Sequence, residues 1–195
     1  MPRLRYIKDI EKTPQISAMI ESAKKTGAPD PRVVSIMTRS KVGLAWVELW
    51  NKVLYEGVLP HKLKEMCRIQ ISVAHQCGYC STVRSNVAKA EGLTEAMIAD
   101  LFTYETSPHF TPREKAALRY ANLFKQGEHA IDKEEVYADL RKHFSDEEII
   151  ELGQLCAQTD GVGKFVKSLN VVSWEEACVI NPKLADAAPA QQAAE

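Results

Sequence analysis

Apolar residues recur along this chain at spacings of three and four, the period of a helix with one buried face. Residues 14–25 read as a short helix, closed by Gly27 and the Pro29/Pro31 pair. Val42, Ala45, Trp46, Leu49 and Val53 mark an amphipathic helix across 40–56, ended by Gly57 and Pro60. Leu63, Met66, Cys67, Val73 and Ala74 predict another helix to residue 75. A break around 76–78 follows, then a helix over 79–91 that stops at Gly92. Thr111-Pro112-Arg113-Glu114 joins an N-cap, a first-turn proline and a Glu at the third helical position. It opens a helix to Gln126, with Gly127 at its end. Asp132 caps 133–144, and Ser145-Asp146-Glu147-Glu148 is a second capping box, opening a helix to Gln158. Gly161 and Gly163 interrupt before a last helix near 164–169. Only two short runs, 32–37 and 69–73, look strand-like. The pattern predicts an all-α, multihelical bundle, a single domain over 1–183 and a flexible Ala/Gln-rich tail over 184–195.

Composition narrows the class. At 195 residues, with 45% hydrophobic and 26% charged positions, the chain has the make-up of an ordinary globular domain. Its 25 Lys+Arg against 26 Asp+Glu leave a net charge of −1, so nothing electrostatic points to nucleic acid or an anionic membrane as partner. The basic start lacks the apolar run of a leader, because Lys8, Asp9, Glu11 and Lys12 interrupt it. No apolar stretch is long enough to span a bilayer. Five cysteines, an odd number with only one close pair, suit a reducing cytoplasm, where a disulfide is catalytic rather than structural.

That pair, Cys77-Gly78-Tyr79-Cys80, is the sharpest chemical signal. A C-x-x-C at a helix N-terminus puts two sulfurs within disulfide reach, and the free N–H groups there stabilise a thiolate. A thiol with a lowered pKa is a nucleophile near neutrality, and its neighbour resolves the oxidised sulfur. A thioredoxin-like fold would also use this motif, but no βαβ pattern supplies its sheet. A zinc half-site of His75, Cys77 and Cys80 lacks a fourth ligand. The plain alternative is two buried, inert cysteines.

The stretch from Glu65 to Cys80 resembles the core motif of the AhpD-like, carboxymuconolactone decarboxylase family. Glu65 stands twelve residues before Cys77, as in that motif, and Ala88, Ala90 and Gly92 match its downstream helix. The resemblance implies an all-α fold with the C-x-x-C at a helix N-terminus, and a peroxidase-related activity. It implies Cys80 as the sulfur that attacks a peroxide, Cys77 as the resolving sulfur, Glu65 in a proton relay and an external dithiol as reductant. It also implies a homo-oligomer, a trimer or hexamer, for which the Trp46/Trp50 helix is a candidate surface. One position departs: the family's relay histidine is Arg84 here. A guanidinium does not titrate at physiological pH, so Arg84 can favour a thiolate or hold an anion but not shuttle a proton. Four residues after Cys80, it is expected on the same helical face, with an ion pair to Glu65.

His75 and Tyr79 are supporting candidates. His75 reads as a turn-capping residue, and Tyr79 can orient a substrate. His61, His109, His129 and His143 fall near expected helix ends, where a solvated imidazole is the ordinary explanation. Cys67, Cys156 and Cys178 look like small apolar fillers. No metal, flavin or nicotinamide motif is visible, and no cofactor is expected. The leading expectation is a thiol-dependent hydroperoxidase or disulfide reductase. One alternative is a non-redox lyase acting on a carboxylated substrate through Glu65 and Arg84. Another is a stress-linked binding module without turnover.

Overall fold

A computed structural model of the chain describes residues 2–126 and 130–187. Among them there are helices and turns and no strand. Two helices, α1 (Pro14–Thr26) and α2 (Val33–Met37), precede α3 (Lys41–Tyr55) and α4 (His61–Ala74). Three short ones follow, α5 (Gly78–Thr82), α6 (Asn86–Ala90) and α7 (Glu95–Ala99). The remainder are α8 (Pro112–Gln126), α9 (Glu134–Leu140), α10 (Asp146–Leu169), α11 (Trp174–Ile180) and α12 (Lys183–Ala187).

Helix α4 is the axis of the fold, packed between α8 and α10. It is buried on every face: Met66, Cys67, Ile69, Ile71 and Val73 have no exposed surface, and Lys64, Glu65, Arg68, Gln70 and Ser72 are buried with them. Each fully buried large apolar side chain contributes about 1.5–3 kcal/mol. The alternation Ile69, Ile71, Val73 that looks strand-like belongs to this helix. A helix enclosed all round shows no polar stripe, and its buried polar residues mimic a two-residue period. The other strand-like run lies largely within α2, where Val33, Ser35 and Ile36 are buried.

Side-chain caps set the boundaries. Thr13 accepts the Ile16 N–H at the start of α1, and Ser40 accepts the Gly43 N–H at the start of α3. Ser145 and Glu148 form the expected capping box of α10, and Ser173 with Glu176 caps α11 the same way. Two expected helices are corrected. Helix α10 runs unbroken through Gly161 and Gly163 to Leu169, and Asn170 in a left-handed conformation (φ 50°) ends it. A Cβ on Gly163 would lie 3.0 Å from His75 Nδ1, so that glycine marks a close packing contact rather than a break. The helix expected over 133–144 is the shorter α9, with Lys133 rather than Asp132 at its N-cap. Gly127 and His129 lie outside the described residues. So do residues 188–195 of the expected tail, while residue 184, Leu184, is buried within α12.

Helix α3 is also turned from its expected face. Val42 is 77% and Leu49 51% exposed, and the buried positions are Gly43, Val47 and Leu54. Trp46 and Trp50 pack inward against Cys77, Cys80, Val162 and Val166, with Trp46 stacked on Phe165 at 5.7 Å. These tryptophans therefore roof the cysteine pair rather than forming an outer surface. No helix among the described residues is long and apolar enough to cross a membrane.

Candidate active site

The chain reverses just before the pair. Helix α4 stops at Ala74, Gln76 adopts a left-handed φ of 51°, and the Cys77 N–H returns to the Ser72 carbonyl at 3.2 Å. This makes Cys77 the N-cap of α5, and its sulfur accepts the Cys80 backbone N–H at 3.3 Å. Between the two cysteines, Gly78 meets the turn before α11: a Cβ there would come within 2.2 Å of the Ser173 carbonyl oxygen. The hydrogen bond with Cys80 pulls the Cys77 thiol below its ordinary pKa, against the effect of burial, with the positive field of Arg68 adding to it. The same bond and burial push Cys80 up. The Cys77 thiol therefore gives up its proton more readily than the Cys80 thiol.

Access runs the other way. Cys80, not Cys77, lines a mainly apolar cavity of about 140 Å³ between α1, α2, α3, α4 and α10. Met37, Val47, Trp50, Leu54 and Val162 supply apolar wall. Tyr55, Glu65, Arg68, Ser85 and Thr159 supply polar edges. The Thr159 hydroxyl, in a residue 2% exposed, has no hydrogen-bond partner.

Glu65 reaches this wall, but its expected partner is replaced. Both of its oxygens are held by Arg68, at 2.7 and 2.8 Å, and the Ser85 N–H donates to it at 3.3 Å. Burial raises the carboxyl pKa, yet the Arg68 charge and hydrogen bonds outweigh it, so Glu65 stays ionised below the usual carboxylate range. The same guanidinium donates to the carbonyls of Cys80 (2.8 Å) and Val83 (3.0 Å), acceptors that the end of α5 leaves open.

Arg84 is a correction on two counts. The helix expected over 79–91 breaks at Val83, so Arg84 shares no helical face with Cys80. Its guanidinium donates to the carbonyls of Ser81 (2.6 Å) and Val83 (2.9 Å) and pairs with Glu95 at 3.5 Å, not with Glu65. It lines a separate cavity of about 350 Å³ with Phe102, Ile180 and Lys183.

Tyr79 lines the Cys80 cavity, and its hydroxyl donates to the Asp30 carbonyl at 3.3 Å. Burial raises its pKa. The His75 ring turns towards α10, with Nε2 2.9 Å from Asp160 Oδ1, and burial lowers its pKa. It does not join the cysteines. His61 is a further correction: it is 7% exposed, not solvated. Its Nδ1 lies 2.8 Å from the Leu54 carbonyl and its Nε2 2.7 Å from Ser85 Oγ. Sequence reasoning passed over Arg68, His61 and Ser85. A signal existed: His61, Glu65, Arg68 and Ser72 follow spacings of four, three and four, which place them on one face of α4.

A C-x-x-C capping a short helix, a buried Glu on the preceding helix and an all-helical frame together point to one group of proteins. Residues 40–123 match the carboxymuconolactone decarboxylase family. The matched region runs from the N-cap of α3 into α8 and contains Glu65, Cys77 and Cys80. The uncharacterised protein Rv2313c of Mycobacterium tuberculosis is 32% identical over 90 residues, 45% of this chain and 31% of that protein. Bacillus subtilis YdfG is 26% identical over 89 residues, 46% of this chain and 60% of that one. The chain thus spans about a third of the Mycobacterium relative and three fifths of the Bacillus one. Among solved structures, an Agrobacterium tumefaciens protein of unknown function, proposed as the antioxidant defence protein AhpD, superposes with a TM-score of 0.59 at 22% identity. It covers 68% of this chain and 90% of its own. The debrominase Bmp8 superposes with a TM-score of 0.75 at 18% identity, over 92% of this chain and 96% of its own. A cysteine-to-alanine variant of Bmp8 with bound 2,3,4-tribromopyrrole gives 0.76 at 16% identity, over 94% of this chain and 100% of its own. Residues 40–123 are thus similar to the carboxymuconolactone decarboxylase family, and the solved structures share the all-α fold of this chain.

Proposed function

We propose that this protein is a thiol-dependent oxidoreductase that reduces a small organic hydroperoxide at Cys80, with Cys77 as the resolving sulfur. The observation that carries the reading is the division of labour within the pair. Cys80 faces an apolar cavity, while Cys77, with no exposed surface, lies behind it with its thiol pulled below its ordinary pKa by the hydrogen bond with Cys80. In the first step Cys77 takes the Cys80 proton, and the Cys80 sulfur attacks the terminal oxygen of the hydroperoxide. The O–O bond breaks, the alkoxide leaves as an alcohol once protonated, and Cys80 becomes a sulfenic acid. Cys77 then attacks the Cys80 sulfur and water departs. Two thiols and one hydroperoxide give a disulfide, an alcohol and water; an external dithiol restores the pair.

The cavity suits an organic substrate rather than hydrogen peroxide. An apolar cavity of roughly 150 Å³ takes up benzene, so this one has room for a substituent of that size. The unpartnered Thr159 hydroxyl is a hydrogen-bonding group for the polar end of such a molecule. Glu65, held by Arg68, acts in this scheme by fixing that arginine on the Cys80 carbonyl rather than by taking a proton. The lyase alternative loses its support, because Arg84 and Glu65 line different cavities.

The test is to mix fully reduced protein with cumene hydroperoxide and follow free thiols and intact mass. Rapid loss of two thiols per chain, mapped to Cys77–Cys80 and abolished by Cys80→Ser, is expected. Thiols that oxidise no faster than a small free thiol overturn the reading. The nearly full-length likeness to a debrominase favours one second reading, in which the same sulfur attacks a halogen of a small ring and Cys77 displaces the halide. Bromide release from 2,3,4-tribromopyrrole, without reaction with cumene hydroperoxide, would select it.

A further inference from the structure

With Arg84 outside the cavity, the site needs another source for the proton that the leaving alkoxide takes up. Most polar groups on the wall cannot supply it near neutrality. Glu65 is held ionised by Arg68, a guanidinium does not titrate there, and burial holds the protons of Tyr55 and Tyr79 more tightly than usual. The Ser85 hydroxyl is different, because it lines the cavity and touches an imidazole. His61 Nδ1 faces the Leu54 carbonyl, which only accepts, so Nδ1 carries a hydrogen. Nε2 faces Ser85 Oγ at 2.7 Å, and Oγ also accepts the Ala88 N–H at 3.2 Å.

Two hydrogen arrangements fit these distances. With a neutral imidazole, Ser85 donates its hydrogen to Nε2 and has none for the cavity. With an imidazolium, Nε2–H donates to Oγ, and the hydroxyl hydrogen turns away from the ring, to the side where the Tyr55 hydroxyl and Cys80's cavity lie. We infer that Ser85 and His61 form the proton-delivery pair of this site. Ser85 donates to the alkoxide released from the O–O bond and recovers its hydrogen from His61 Nε2–H, leaving a neutral imidazole that refills from solvent. His61 acts through Ser85 and is a positioning residue. This step rests on the hydroperoxide reading above.

The charged surroundings of His61 are defined. Tyr55 of α3 stacks on its ring at 4.7 Å. From α4 come Glu65, bound to Arg68; Lys62, paired with Glu114 of α8 at 3.0 Å; and Lys64, paired with Glu151 of α10. Glu91, after α6, accepts the Lys62 N–H. Arg84, one residue before Ser85, is paired with Glu95.

The experiment is the pH dependence of Cys80 oxidation by cumene hydroperoxide, under single-turnover conditions. The rate should rise with the thiolate and fall again as His61 loses its proton. Ser85→Ala and His61→Gln should lose that alkaline limb and react about 10²-fold more slowly on the acid side. Ser85→Thr, which keeps the hydroxyl, should retain it. In the unmutated protein, the midpoint of the limb should coincide with the His61 ring titration followed by NMR, a readout that needs no variant to fold. A midpoint that does not coincide, or variants that keep the wild-type profile while reacting with the peroxide, overturn the relay alone. Wild-type thiols inert to the peroxide overturn both the relay and the hydroperoxide reading.

Discussion

Glu65 and Arg68 show what a single buried pair does for this site. Both are almost without exposed surface and face each other through two hydrogen bonds. Removing one partner leaves the other charge buried and unpaired, so Glu65→Ala or Arg68→Ala should cost about 3–5 kcal/mol in urea unfolding. The folded-state pKa of Glu65 lies below its unfolded value. Its contribution is therefore complete above the ordinary carboxylate range, near about pH 4, and is lost as pH falls through the depressed value. Unfolding free energy, measured by urea titration at a series of pH values, should therefore fall less steeply with acid below about pH 4 in Glu65→Gln than in wild type. The cysteines and Glu65 were legible in the sequence because their spacing is a local property. The partner of Glu65 was not: Arg68 and Arg84 are both within reach of a hairpin, and only the break at Val83 decides between them.

At the scale of elements, α5 is the piece that positions the pair, and it is short because it is clamped at both ends. Cys77 caps its start, and Arg68 and Arg84 take the carbonyls at its finish. Periodicity reads 79–91 as one helix because nothing in a run of small and polar residues marks an interruption. The cause is tertiary, two guanidiniums that satisfy the last carbonyls from the side. The turn before α11 closes the other flank by sitting on Gly78. Gly78→Ala should displace that turn and lower the melting temperature by several degrees, as expected for a cost of about 1–3 kcal/mol from overpacking. It should also slow disulfide formation, measured by thiol loss. Gly161→Ala, where a Cβ meets nothing, should leave the protein unchanged or slightly more stable.

For the whole molecule, the helical class and most helix positions follow from period and caps, whereas the rotation of α3 does not. Its inward side is chosen by the cavity: Trp46 and Trp50 turn to cover the cysteines, which leaves Val42, Ala45 and Leu49 on the outside. That outward stripe predicts self-association, which Leu49→Lys should weaken. Light scattering should then report a lower mass than wild type at the same concentration, and an unchanged mass would remove α3 from the interface.

The two tryptophans laid over the cysteine pair make this protein its own optical indicator. A disulfide quenches a neighbouring indole, and Trp46 and Trp50 pack against the cluster that holds Cys77 and Cys80. Intrinsic emission should therefore dim when Cys77 and Cys80 join and brighten when a dithiol parts them, so that each half of the cycle can be timed in a stopped-flow cell without any dye.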